Sequence, residues 1–270
     1  MRTTSILSLL TSLVLSGASL SAVEIIGHRG ASYDAPENTL ASMRLGWEQK
    51  ADGNELDIYL SKDGQIVLLH DASTKRTAGK DQKVVEQTLE ELRALDAGSW
   101  KGTQWAGEKI PTLAEVLQIL PADKRLVIEI KTGPEILPEL KRVLDVADKK
   151  PEQLVLIAFN YEVVKQAKPL FPKVDVYWLA SAGADKKTGK VVTIEELIRK
   201  AKAAGAEGLD LNYKFPIDAA FVSQVHSAGL KLYVWTVDDA DVARKLVAAG
   251  VDGITTDRPA WLREQLAKAE

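Results

Sequence analysis

Eight short apolar runs recur along this chain, each followed by a segment with helical spacing, and that alternation restricts the fold more than any other feature. The runs lie at 25–28, 55–60, 126–131, 154–159, 174–180, 208–211, 231–236 and 252–257. Near-continuous apolar strands separated by amphipathic helices are what a parallel sheet covered on its outer face requires. Eight such units predict a (β/α)8 TIM barrel; a doubly wound sheet shares the alternation, and the count favours the barrel. The joints at 204–208, 228–231 and 249–253 share one pattern, Ala-Gly followed closely by strand residues. Glycine there predicts a left-handed helix end just before the next strand.

The rhythm breaks once. Residues 71–123 hold charged stretches, Trp100 and Trp105, and two helical pieces at 88–95 and 112–120. They predict a small inserted subdomain lying over one end of the barrel. It follows a hairpin whose first arm carries Glu55 and Asp57, two apart and so on one face of the strand. Asp63-Gly64 between the arms predicts a two-residue turn. In that register Asp57 faces His70 directly, with Cβ atoms about 5.5 Å apart. Two carboxylates and an imidazole on one face are costly to bury unless they bind something. A cation with oxygen ligands beside an acid/base group meets that need.

Residues 1–22 stand apart. Arg2, an apolar core from Ile6 to Leu15 and the small residues from Gly17 to Ala22 have the layout of a secretory signal peptide. The apolar core is too short to span a bilayer as a stable helix. The expected domains are therefore a leader at 1–22 and a barrel at 23–270. The mature protein would be exported without an integral membrane segment, and be periplasmic if the host is a Gram-negative bacterium. The absence of cysteine excludes disulfides and thiolate metal sites. A net charge of −3 gives no global attraction to nucleic acid or anionic membrane, and no feature sets an oligomeric state.

Active sites of barrels collect at the C-terminal ends of the strands. Those ends carry His28 and Arg29 after strand one, Glu55 and Asp57 on strand two, Glu129 and Lys131 on strand three, and Trp235 on strand seven. Glu55, Asp57 and Glu129 read either as salt-bridge partners of Arg29 and Lys131 or as ligands of a divalent ion. Three carboxylates against two cations favour the ion, and an oxygen set without cysteine suits Mg2+ or Ca2+ better than zinc. His28 reads as a site group or as a capping or core histidine. Trp235 reads as core packing or as a substrate-stacking wall. His226, on a helix away from the strand ends, reads as structural.

The order and spacing of His28-Arg29-Gly30, Pro36-Glu37-Asn38-Thr39, Glu55-Leu56-Asp57, Lys62-Asp63-Gly64, His70-Asp71, Pro111-Thr112-Leu113 and Glu129-Ile130-Lys131 are distinctive. So is the ending Val251-Asp252-Gly253-Ile254-Thr255-Thr256-Asp257-Arg258-Pro259. Together they resemble the glycerophosphodiester phosphodiesterase family across the whole mature chain. The resemblance implies a (β/α)8 barrel with a small inserted subdomain, and a divalent cation, Ca2+ or Mg2+, on Glu55, Asp57 and Glu129. It implies His28 and His70 as the acid/base pair, and Arg29 and Lys131 as phosphate-binding groups. It further implies a small-molecule glycerophosphodiester substrate, split to sn-glycerol 3-phosphate and an alcohol such as choline or ethanolamine. The nucleophile in the family can be the substrate's own glycerol hydroxyl. Ala158-Phe159-Asn160 departs from the Ser-Phe-Asp common in related chains, which bears on leaving-group contacts, and Tyr33 and Asp34 can shape specificity. Two other functions share these residues: a lysophospholipase D or sphingomyelinase D-like lyase on the same fold, and a phosphodiester-binding protein without turnover.

Overall fold

The computed structural model describes residues 23–183 and 191–268; the expected leader at 1–22 lies outside the described residues. The strands are β1 (Glu24–Gly27), β2 (Gly53–Leu60), β3 (Ile66–Leu68), β4 (Arg125–Ile130) and β5 (Leu154–Ala158). They continue with β6 (Asp175–Ala180), β7 (Gly208–Asn212), β8 (Lys231–Trp235) and β9 (Gly253–Thr256). All but β3 are parallel, and the ring closes because β1 pairs with both β2 and β9. A closed ring of eight parallel strands settles the choice in favour of the barrel over the doubly wound sheet.

Helices cover the outside. They are α1 (Leu40–Glu48), α2 (Lys75–Ala78), α3 (Leu89–Arg93), α4 (Leu113–Ile119) and α5 (Leu137–Ala147). The rest are α6 (Tyr161–Leu170), α7 (Ile194–Ala204), α8 (Ala219–Ser227), α9 (Ala240–Ala249) and α10 (Pro259–Ala267). Helix α5 shows why they pack: Leu137, Leu140, Val143 and Leu144 recur at helical spacing and are buried against the outer sheet face. Helices α7 and α9 start on Thr193 and Asp239, whose side chains accept backbone N–H groups, and end on Gly205 and Gly250 with φ of 72° and 94°. Those left-handed ends are the ones expected from the Ala-Gly joints.

The barrel interior has a chemistry that changes with depth. At the N-terminal end, Arg125 contacts Glu24 at 2.9 Å and the Tyr233 hydroxyl at 2.8 Å, and Lys231 lies 3.4 Å from Asp175. Above this ionic plug sit Ile26, Val127, Val155 and the rings of Tyr177 and Tyr233, packed edge to face with centroids 5.2 Å apart. Gly208 and Gly253 make room for those rings: a Cβ on either would lie 2.6 Å from the ring of Tyr177 or Tyr233. Gly208→Ala is therefore expected to destabilise the protein by about 1–3 kcal/mol, as overpacking does, without disturbing the groups at the other end of the strands. Urea titration checks this; an unchanged midpoint would mean that the interior has slack. The plug fills the lower end, and a pocket lies among the C-terminal ends of the strands.

The hairpin corrects one expectation. Strand β3 pairs with β2 as Ile58↔Leu68, Tyr59↔Val67 and Leu60↔Ile66, and Ser61 N–H bonds Gln65 O at 2.9 Å. The loop is thus the three residues Lys62-Asp63-Gly64, not the two-residue turn, with Gly64 at φ 77° supplying the left-handed position. Asp63 stabilises it by accepting from the Ser61 hydroxyl and from Leu89 N–H. The register moves by one, so Asp57 faces Leu69 and not His70. Because β3 stops at Leu68, His70 escapes the strand's alternation and is aimed by the bend that follows.

Beyond the hairpin, Tyr59, Val67 and Leu69 share a small core of their own with Val84, Leu92, Ala97 and Ile110. Leu113, Val116 and Leu117 of α4 instead join the main core, and α4 packs between α1 and α5. The part of this segment with a core of its own thus runs to Ile110, inside the 71–123 expected for the insertion.

Candidate active site

His28 follows β1 directly, and its Nδ1 lies 2.6 Å from Asp257 Oδ1. Asp257, at the end of β9, also accepts from the Ser32 hydroxyl at 2.9 Å. His70 is held the same way, with Nδ1 2.8 Å from Asp71 Oδ1. A carboxylate on Nδ1 fixes the tautomer and leaves Nε2 as the nitrogen free to exchange protons. Burial lowers the His70 pKa below its usual value, although the Asp57 charge pulls it upward. Both histidines line one pocket, together with Arg29, Glu55, Glu129 and Lys131.

The carboxylates sit where the strands place them. Glu55 and Asp57 of β2 are buried, and the register sets Asp57 beside Glu129 of β4. One oxygen from each of Glu55, Asp57 and Glu129 lies within 4.8 Å of the others. Their electrostatics are strained. Burial pushes Glu55 well above the ordinary carboxylate range, and the charges of Asp57 and Glu129 push the same way. Burial also takes Glu129 up to about 7, with Asp57 adding to the effect and Lys131 opposing it. Asp57 meets the same burial, but Lys131 and Arg29 outweigh it and hold it ionised.

The two cations are close by. Lys131 Nζ is 2.8 Å from Glu129 Oε1 and 3.3 Å from Asp57 Oδ1. Arg29, in a left-handed conformation at φ 55°, donates its backbone N–H to Glu55 and its Nη1 to Glu37, at 2.9 and 2.8 Å. Arg29 Nε lies 3.4 Å from Asp57 Oδ2, and neither it nor Asp57 Oδ1 completes a hydrogen bond, so both meet their partners only as ion pairs. Two cations do not neutralise three buried carboxylates, so the salt-bridge reading alone leaves charge unbalanced. A hard, oxygen-seeking divalent cation fits this donor set.

Several residues at the site carry no role in the sequence reading. Asn38 donates to Asp57 Oδ2 at 2.8 Å, accepts Asp57 N–H at 3.1 Å, and so orients that carboxylate. Arg76, from the inserted segment, donates to Asp71 at 2.7 Å and to both oxygens of Glu37 at 2.8 Å. One guanidinium thus ties the partner of His70 to the partner of Arg29, and it holds the Asp71 carboxyl at about 2. Asp257 and Glu37 stand inside motifs visible in the sequence, whereas Asp210 of β7 lines the pocket from the middle of an apolar strand with no such flag. Trp235 stands on the pocket wall, where its Nε1–H bonds Asp210 O at 3.2 Å and its ring meets Phe159 edge to face at 5.6 Å. His226 pairs with Asp252 at 2.9 Å, away from this cluster.

A barrel with an acidic cluster, two anchored imidazoles and two cations at its open end belongs to the class built for chemistry on an anionic substrate. The chain matches the model of the glycerophosphoryl diester phosphodiesterase family over residues 28–261, and it belongs to that family. It is 36% identical over 242 residues to the glycerophosphodiester phosphodiesterase of Caldanaerobacter subterraneus subsp. tengcongensis, covering 88% of this chain and 95% of the relative. Among solved structures, the Oleispira antarctica phosphodiesterase in complex with the product sn-glycerol-3-phosphate aligns with a TM-score of 0.79 and 31% identity, over 90% of this chain and 96% of that one. The glycerophosphodiester phosphodiesterase of Thermotoga maritima aligns with a TM-score of 0.72 and 29% identity, over 90% and 97% of the two chains.

Proposed function

We propose that this chain is an exported, divalent-metal-dependent phosphodiesterase that cleaves glycerophosphodiesters to sn-glycerol 3-phosphate and an alcohol such as choline or ethanolamine. The observation that carries this reading is the pairing of two aspartate-anchored histidines with a three-carboxylate cluster in one pocket. The product held by the Oleispira relative supports the same substrate class.

Glu55, Asp57 and Glu129 would hold the cation, Ca2+ or Mg2+, which when bound supplies positive charge to the non-bridging oxygens of the phosphodiester. Arg29 and Lys131 add a guanidinium and an ammonium to the same task, since the transition state gathers negative charge on those oxygens. One imidazole takes the proton of the attacking oxygen and the other gives one to the departing alcohol. With a glycerol hydroxyl as nucleophile, its oxygen bonds to phosphorus as the P–O bond to the alcohol breaks. Water then opens the resulting cyclic phosphate, and the histidines exchange roles. Asp257 and Asp71 keep each ring oriented throughout.

Purified protein should release sn-glycerol 3-phosphate from glycerophosphocholine with Mg2+ or Ca2+ and stop when chelated. Binding without product would favour the non-catalytic alternative, and faster turnover of lysophosphatidylcholine would favour the lipid-directed one. Arg76→Ala is expected to lower kcat by about 10–100-fold, the range seen when groups that orient reactive side chains are lost; Arg76→Lys should recover part of it, and full activity in Arg76→Ala would refute the role. Export rests on the pattern of residues 1–22. N-terminal sequencing of protein from the extracellular or periplasmic fraction should find a chain beginning between Ser19 and Val23; retention of Met1 in the cytoplasm would overturn it.

A further inference from the structure

Asp210 is 2% exposed and its Oδ1 has no hydrogen-bond partner; among the described residues its carboxyl forms no ion pair either. Its neighbours across the sheet, Leu179 and Tyr233, belong to the barrel interior, so the register turns Asp210 inward. It lines the pocket that holds His28, His70 and the carboxylates. A buried polar group without a partner is uncommon and costly, and the few that occur ask for an explanation. Ile157, Leu179 and Trp235, which share that wall, offer no side-chain donor to it. Whatever enters the pocket is therefore the partner.

The substrate has three parts, and two do not fit. The phosphate is drawn to Arg29 and Lys131, which follow β1 and β4, each three strands away from β7 around the ring. The alcohol differs between substrates, choline offering no N–H donor and ethanolamine an ammonium, so it is no constant partner. The glycerol half remains, common to every glycerophosphodiester, with hydroxyls that both donate and accept. Building on the phosphodiesterase reading above, we infer that Asp210 hydrogen-bonds the terminal hydroxyl of the substrate's glycerol and makes the site selective for the glycerol half. Thr255, buried on β9 on the far side of β8, lines the same pocket and adds a second polar group to it. A site built to bond a hydroxyl discriminates strongly against an analogue that lacks it.

The test compares glycerophosphocholine with 2-hydroxypropyl phosphocholine, which keeps the hydroxyl beside the phosphoester and lacks the terminal one. The wild type should favour glycerophosphocholine by about tenfold or more in kcat/KM. Asp210→Ala should lose most of that preference by slowing only glycerophosphocholine, whereas Asp210→Asn, which can still donate and accept, should retain most of it. Asp210→Asn should also melt no lower than the wild type, because it removes an unpaired buried acid. Undiminished preference in Asp210→Ala, or equal losses on both compounds, would overturn the assignment while leaving the phosphodiesterase reading intact. A wild type that cleaves neither compound would overturn both.

Discussion

His28→Ala and His70→Ala are each expected to lower kcat/KM on glycerophosphocholine by about 10²–10⁴-fold, the usual contribution of a positioned general acid or base. On the proposed mechanism the two imidazoles serve one proton exchange, so the double variant should lose little more than either single one. Steady-state kinetics on the metal-loaded protein measures all three. Circular dichroism should show the fold unchanged, because both rings sit at the open end of the barrel and neither belongs to its core. Full activity in either single variant would sink the acid/base assignment, and additive losses would mean that the histidines act independently. Burial lowers the His70 pKa, so if His70 is the base the acid limb of the kcat/KM profile should lie below pH 6.5. Disrupting the Asp71 partner should weaken the hold on Nδ1 and lower kcat more than it raises KM.

The second large effect is on stability. In the chelated protein Glu129 titrates near 7, raised from 4.5 by burial and by the charge of Asp57. A carboxyl raised on folding contributes its full stability below its unfolded value, and that contribution disappears as pH rises through the folded value. Between roughly pH 4.5 and 7 the folded protein holds more protons than the unfolded chain, so stability falls with rising pH. Glu55, pushed up by burial and the same neighbours, acts in the same direction. The chelated protein should therefore melt lower at pH 8 than at pH 5.5, by roughly 5 °C or more for a chain of this size. Glu129→Gln should flatten that slope. Added Ca2+ or Mg2+ should raise Tm more at pH 8 than at pH 5.5, because the ligating oxygens must be deprotonated. Scanning calorimetry across this range decides it: a Tm that rises with pH in chelator would show that the carboxylates are not strained as their burial implies.

Much of the site was legible because its residues interrupt patterns that are otherwise apolar. Glu55, Asp57 and Glu129 stand out in strands that should bury hydrophobic side chains, and a period of two puts each on the inner face. His28 and Arg29 announce themselves by following a strand end. Asp210 interrupts Gly-Leu-Asp-Leu-Asn just as plainly, yet its strand carries no second signal. Only the closed ring turns it into the pocket that the other strands supply. The hairpin failed for a different reason: Asp-Gly is compatible with both two- and three-residue loops. What separates them here is long-range, since Asp63 bonds Leu89 N–H in the inserted segment and Lys62 N–H bonds Gln87 O.

The sequence by itself determined the barrel, because eight apolar strand periods with helix-ending glycines are local patterns that one buried sheet satisfies. It determined which strand ends are polar, and hence where chemistry can occur. The partners of those groups were decided only by the tertiary structure. Asp257 meets His28 from the far end of the chain, and Arg76 reaches from the inserted segment to Glu37 and Asp71. Asp210 is left without a partner by apolar neighbours on adjacent strands. Such pairings depend on ring closure and on the aim of a bend, which no local spacing encodes. The pKa shifts follow from them, since burial and charge are properties of the assembled pocket and not of any strand alone.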